Sequence, residues 1–183
     1  MSGTITDVVL AHGFGGGSGW LHPLTGWDHT TAMVAVGAWS AQLGKRSALW
    51  LVPAGFVAAM AVGSATGLAG IELPGTEVAI AMSVVLLGLA IAFRLRVTTA
   101  AAAAAVAVFG LCHGSAHGLE YASQEGKVGY VLGILVTTAG LHVAGAVGAL
   151  LVTDWRHGGR ALRIAGASAT AIGLWLVTAT LQA

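Results

Sequence analysis

Apolar residues along this chain gather into six long runs, over residues 27–43, 47–69, 77–93, 97–119, 128–152 and 162–181. A helix needs about 20 residues to cross the ~30 Å hydrocarbon core of a bilayer. The pattern therefore predicts an all-α, polytopic bundle of about six transmembrane helices. The first and third runs are short and are expected to extend into their flanks. Short breaks separate the runs: Lys45-Arg46, residues 72–75, Arg94-Leu95-Arg96, residues 120–127 and residues 154–163. Pro53 falls in the first two turns of the second run, where a missing N–H costs least or gives a mild kink. A single membrane domain over 1–183 is expected, with residues 1–26 as an extracytoplasmic, Gly-rich N-terminal segment.

Charge then orients the bundle. Lys45, Arg46, Arg94, Arg96, Arg156, Arg160 and Arg163 all fall in alternate breaks, and Lys127 alone falls on the other side. Cytoplasmic loops carry the excess of Lys and Arg, so both termini are expected to face outward. The outer loops then carry Glu72, Glu77, Glu120 and Glu125. Trp50 and Trp155 near the inner boundary, with Trp27, Tyr121 and Tyr130 near the outer one, fit aromatic belts.

Composition agrees. Hydrophobic residues make up 56% of the chain and charged residues 8%, against roughly 25% charged in a soluble domain. So few charges do not cover a water-facing surface, and no basic cluster points to nucleic acid. The 28 glycines favour close helix approach in lipid. Gly63/Gly67, Gly110/Gly114/Gly118 and Gly129/Gly133 have the small-xxx-small spacing of tight contacts. Cys112 is the single cysteine, so no intrachain disulfide forms. The start of the chain does not read as a secretory signal peptide. The Gly-rich stretch 13–19 lacks the Gly-Lys-Ser/Thr ending of a phosphate loop and reads as a flexible tail or a segment folding back over the outer mouth.

The candidate chemistry lies in two places. The fourth run ends in His113-Gly-Ser-Ala-His117-Gly-Leu-Glu120. At 100° per residue these three side chains share one narrow helical stripe, and imidazole with carboxylate suits a divalent transition metal. The first run begins His22-Pro-Leu-Thr-Gly-Trp-Asp28-His29, with Met33 one turn below His29. Because the first run descends and the fourth ascends, both groups lie at the outer end of the membrane. His22, Asp28, His29, His113, His117 and Glu120 are thus expected to meet as a metal site.

Plainer readings stand beside that one. Asp28 caps a helix start in a capping-box-like Thr25-Gly-Trp-Asp28, and Glu120 is a solvated boundary residue. His113 and His117 are hydrogen-bonded structural residues, although ionisable groups inside a span are functional by default. His142, deep in the fifth run, is either a second station on a path or a histidine bonded to a threonine of another helix. Met33 is core or a soft ligand. Cys112 reads as packing, and His12 and His157 as solvated.

At these residues the sequence resembles the HupE/UreJ family of nickel permeases, associated with hydrogenase and urease maturation. His22 followed after five residues by Asp28-His29, and the stretch His113 to Glu120, look like that family's first- and fourth-helix signatures; Cys112 stands where the family motif carries Phe. The resemblance implies uptake of Ni²⁺, with Co²⁺ as an alternative cargo, through a multi-pass protein of the bacterial inner membrane, with no prosthetic group. The expected partners are the metal ion, the lipid bilayer and a further copy of the chain in a homo-oligomer. The spacing by itself stops at a divalent transition metal. It also leaves open an intramembrane zinc hydrolase, although the His-Glu-x-x-His arrangement of such enzymes is missing.

Overall fold

The computed structural model describes residues 19–123 and 125–182, with the side chains of His22 and Thr25 left out. Among the described residues there are six long helices, one additional helical turn (His22–Thr25) and no strand. The long helices are α1 (Trp27–Gln42), α2 (Arg46–Leu68), α3 (Thr76–Ala92), α4 (Thr99–Glu120), α5 (Lys127–Thr153) and α6 (Gly158–Gln182). Each falls on one of the six apolar runs. Helices α2, α4, α5 and α6 have 23, 22, 27 and 25 residues and are long and apolar enough to cross a membrane. Helix α3 is apolar but shorter, with 17 residues.

Helix α1 has 16 residues and so rises only about 24 Å. Neither short helix lengthens into its flanks as expected: α3 gains only Thr76, and ahead of α1 Gly26 is extended (ψ 128°), so that the turn His22–Thr25, with Pro23 at its start, stands apart from it. Residues 19–25 then fold back along α5. Gly19 presses on the backbone of Tyr130, and the Trp20 carbonyl accepts the Thr137 hydroxyl at 2.9 Å. The rest of the Gly-rich stretch, with His12, lies outside the described residues.

Three tight helix pairs build the bundle: α2 with α4, α1 with α5, and α3 with α6. The first two are parallel and the third antiparallel, because neighbours along one helix meet residues in ascending order on α4 and α5 and in descending order on α6. That is the alternation of up and down crossings the runs imply. Glycine sets the closeness. A Cβ on Gly63, Gly110, Gly114 or Gly118 would strike the partner's backbone at Leu111, Phe56, Met60 or Ser64. In lipid, such backbone approach replaces the hydrophobic drive between helices with packing. Gly37 and Gly145 do the same between α1 and α5, as do Gly88, Gly166 and Gly173 between α3 and α6. The Gly129/Gly133 pair departs from expectation: Gly133 receives the backbone of Gly19 and Trp20, while Gly129 faces open space.

Helix α1 touches all five other long helices and carries the centre of the core: Ala32, Met33, Val36 and Trp39 are buried against Phe56, Met60, Val84 and Val106. Its C-terminal end is tied to the end of α3, Trp39 Nε1 donating to the Leu95 carbonyl at 3.1 Å. The outside of the bundle is apolar as well, with Leu51, Val62, Val108, Val136, Val143, Leu151, Ile164 and Trp175 all exposed. Lipid is the solvent such a surface matches. Trp27, Trp50 and Trp155 are exposed as belt residues would be. Tyr130 is not: it is buried and stacks on Tyr121 with ring centroids 3.5 Å apart. Arg94, Arg156, Arg160 and Arg163 line one concavity at the end of the bundle where α3 stops and α6 starts, so two of the cation-rich breaks do share a side.

Candidate metal-handling site

The N-terminal end of α1 and the C-terminal end of α4 come together at the opposite end of the bundle from those arginines. The His29 ring centroid lies 4.9 Å from that of His113, edge to face at 82°, and 4.4 Å from that of His117. All three side chains are buried. The meeting of the two motifs expected from the order of the spans is therefore present. The i, i+4 spacing on α4 stacks His113 and His117 on one face, and Gly114 and Gly118 let α2 close in behind them.

Hydrogen bonding orients the rings. His113 Nδ1 lies 2.9 Å from the Phe109 carbonyl, one turn back on its own helix. A carbonyl oxygen only accepts, so Nδ1 carries the proton, and the neutral ring presents the Nε2 lone pair. That Nε2 is buried with no hydrogen-bond partner among the described residues. His29 follows the same rule: its Nδ1 donates to Asp28 Oδ1 at 2.8 Å, and Oδ1 also accepts the His29 backbone N–H at 2.7 Å. Metal-binding histidines characteristically give their second N–H to a carboxylate or carbonyl, which fixes tautomer and orientation.

Asp28 is thus 2% exposed and serves His29. Gly26 holds the N-cap position with no side-chain cap bond, and the Thr25 side chain of the capping box read from the sequence lies outside the described residues. Glu120 is the boundary residue of the set, 39% exposed at its side chain, with Oε2 3.9 Å from His117 Nδ1. That is an ion-pair separation and too long for a hydrogen bond. Glu120 also borders a cavity of about 600 Å³ at the same end, whose rim adds Glu72, Glu77 and Ser115. One carboxylate therefore stands between an acidic hollow and the buried imidazoles.

His22 belongs to the turn packed on α1 and α5; its side chain lies outside the described residues. Among the described residues no three His, Cys, Asp or Glu side chains stand as a ready-made ligand shell: the imidazoles meet ring against ring. Cys112 is free and half-buried, and His157 borders the arginine concavity. Met33 is fully buried in the core. Its carbonyl, and not a threonine, takes the Nδ1 of His142 at 2.8 Å. Sequence reasoning missed Phe56. Its ring packs on His113 at 5.5 Å and on His142 at 5.1 Å between centroids, and no local feature of an apolar run marks such a residue.

A family model described as HupE / UreJ protein matches residues 4–176, a range that holds every residue of this site. Protein HupE of Rhizobium leguminosarum bv. viciae is 41% identical over 169 residues, covering 92% of this chain and 87% of that relative. No solved structure matches.

Proposed function

The chain belongs to the HupE/UreJ family, and on that premise we propose that it is a permease bringing a divalent transition metal into the cytoplasm for metalloenzyme maturation. As a multi-pass protein of the bacterial inner membrane, it would take its cargo from the outer side. Nickel is the cargo we favour, with cobalt as the alternative.

The observation that carries this reading is the convergence of His29, His113 and His117 from two helices, two of the rings with Nδ1 committed to an oxygen acceptor. Such rings offer neutral nitrogen donors, which suit nickel and cobalt. A hydrated cation entering the acidic hollow would meet Glu72, Glu77 and Glu120 first. It would exchange water for the carboxylate of Glu120 and then for imidazole. Ring rotation on fixed helices would turn the stacked histidines toward one centre, and Asp28, while holding His29, would offset part of the ion's charge. His22, from the turn ahead of α1, would complete the set.

Apolar packing below the cluster, from Met33, Val36 and Met60, makes an ion without ligands costly and so ties passage to the donors. The site's family favours transport over the intramembrane zinc hydrolase that the His-xxx-His spacing allows. The deciding experiment is uptake into proteoliposomes with Ni²⁺, Co²⁺, Zn²⁺ and Mn²⁺ side by side. Ni²⁺ or Co²⁺ accumulation above protein-free vesicles is expected; accumulation of none of the four would refute the permease.

A further inference from the structure

Helix α5, packed along α1, holds two buried polar atoms that no hydrogen bond among the described residues accounts for, one on Thr138 at the depth of His29 and one on His142 a turn further in. Thr138 is fully buried, and its hydroxyl has no hydrogen-bond partner among the described residues. Several other helical hydroxyls in this bundle satisfy themselves on a carbonyl one turn back, and that of Thr137, beside Thr138, reaches the Trp20 carbonyl. Thr153 bonds to Ala149 at 2.7 Å, Thr170 to Gly166 at 3.0 Å and Thr180 to Leu176 at 3.0 Å. Even the equally buried Ser40 and Ser83 reach Gly37 and Ile80. Thr138 makes no such bond.

One turn along, on the same face, stands His142, 1% exposed. The Met33 carbonyl holds its Nδ1–H at 2.8 Å, so the neutral ring presents Nε2, which also has no partner among the described residues. This repeats the arrangement at His113: a carbonyl fixes the tautomer and the lone pair is left bare. A buried polar group without a partner is expensive and calls for an explanation. Two of them, i and i+4 on one helix face, call for a shared one. The Phe56 ring, packed on both His113 and His142, stands between His142 and the cluster nearer the mouth.

We propose that Thr138 Oγ1 and His142 Nε2 form a second, inner station for the divalent transition metal, reached from the His29–His113–His117 cluster past Phe56. This rests on the transport reading of that cluster. One imidazole and one hydroxyl are fewer and weaker donors than the outer set. The ion is therefore bound long enough to leave the outer cluster and loosely enough to continue, as conduction through successive sites requires. Capture belongs to the outer residues, and onward passage belongs to Thr138 and His142.

Ni²⁺ uptake kinetics in transporter-deficient cells separate the two roles. In Thr138→Val, which keeps the shape and removes the hydroxyl, and in His142→Gln, the maximal rate should fall about ten-fold or more. The half-saturating external Ni²⁺ concentration should not rise. Thr153→Val, on the same helix with its hydroxyl already bonded, should match wild type. The purified Thr138→Val protein should melt no lower than wild type, because it loses a bond to nothing. Unchanged maximal rates in both variants would overturn the inner station, as would a raised half-saturating concentration at unchanged maximal rate, or a lowered melting temperature for Thr138→Val. Wild-type cells that show no Ni²⁺-dependent uptake would refute the transport reading itself, which is a different result.

Discussion

Asp28 Oδ1 stands 2.8 Å from His29 Nδ1 and also accepts the backbone N–H of the same residue. Two adjacent residues at the start of a short central helix thus form an orienting pair, carboxylate behind imidazole, facing the two histidines of α4. The arrangement assigns Asp28, in the first turn of α1, the task of orienting the His29 ring.

Asp28→Asn tests it. The amide keeps an oxygen for the His29 N–H groups but loses the charge, and weakening such a partner typically costs about 10–100-fold in metal affinity or activity. Ni²⁺ uptake at low external metal, normalised to protein in the membrane, should fall by that order while expression holds. Near-normal uptake would reduce Asp28 to a local structural role.

His113→Ala and His117→Ala should each abolish uptake at limiting metal, since both project from one rigid face of α4 and no solvent-exposed neighbour can replace them. His29→Ala should behave alike, being the residue that meets both rings. Accumulation close to wild type in the His113→Ala/His117→Ala double variant would remove the cluster from the transport path.

Gly114→Ala should destabilise the fold, because its Cβ would strike the Met60 carbonyl on the tightly paired α2. Overpacking of this kind costs about 1–3 kcal/mol. Gly129→Ala, facing open space within α5, should be neutral or slightly stabilising by helix propensity. Thermal melting in detergent compares the two, and equal melting temperatures would contradict the close α2–α4 approach.

Membrane orientation is checked by labelling in a Cys112→Ser background. Cysteines at Glu72 and Ser123 should react with an impermeant reagent from outside, and cysteines at Lys45 and Gly159 should not. The reverse pattern would place the histidine cluster on the cytoplasmic side and turn capture into release.

Much of this was legible in the chain itself. The six apolar runs became the six long helices because an apolar stretch of that length, with so few charges, has no other way to satisfy its backbone in lipid. The meeting of His29 with His113 and His117 was also legible, since alternating crossings force the start of the first span and the end of the fourth to one depth. Local periodicity put His113 and His117 on one stripe before any neighbour was known. Tertiary packing alone decided what surrounds them. Which carbonyl takes the Nδ1 of His142, and that it belongs to Met33 more than a hundred positions away, follows from the α1–α5 crossing set by Gly37 and Gly145. The place of Phe56 between two histidines, the bare hydroxyl of Thr138 and the burial of Tyr130 depend equally on which helices pair and at what register. In a sequence apolar on every face, hydrophobicity marks the helices but not their neighbours. Those are chosen by where glycine lets two backbones touch.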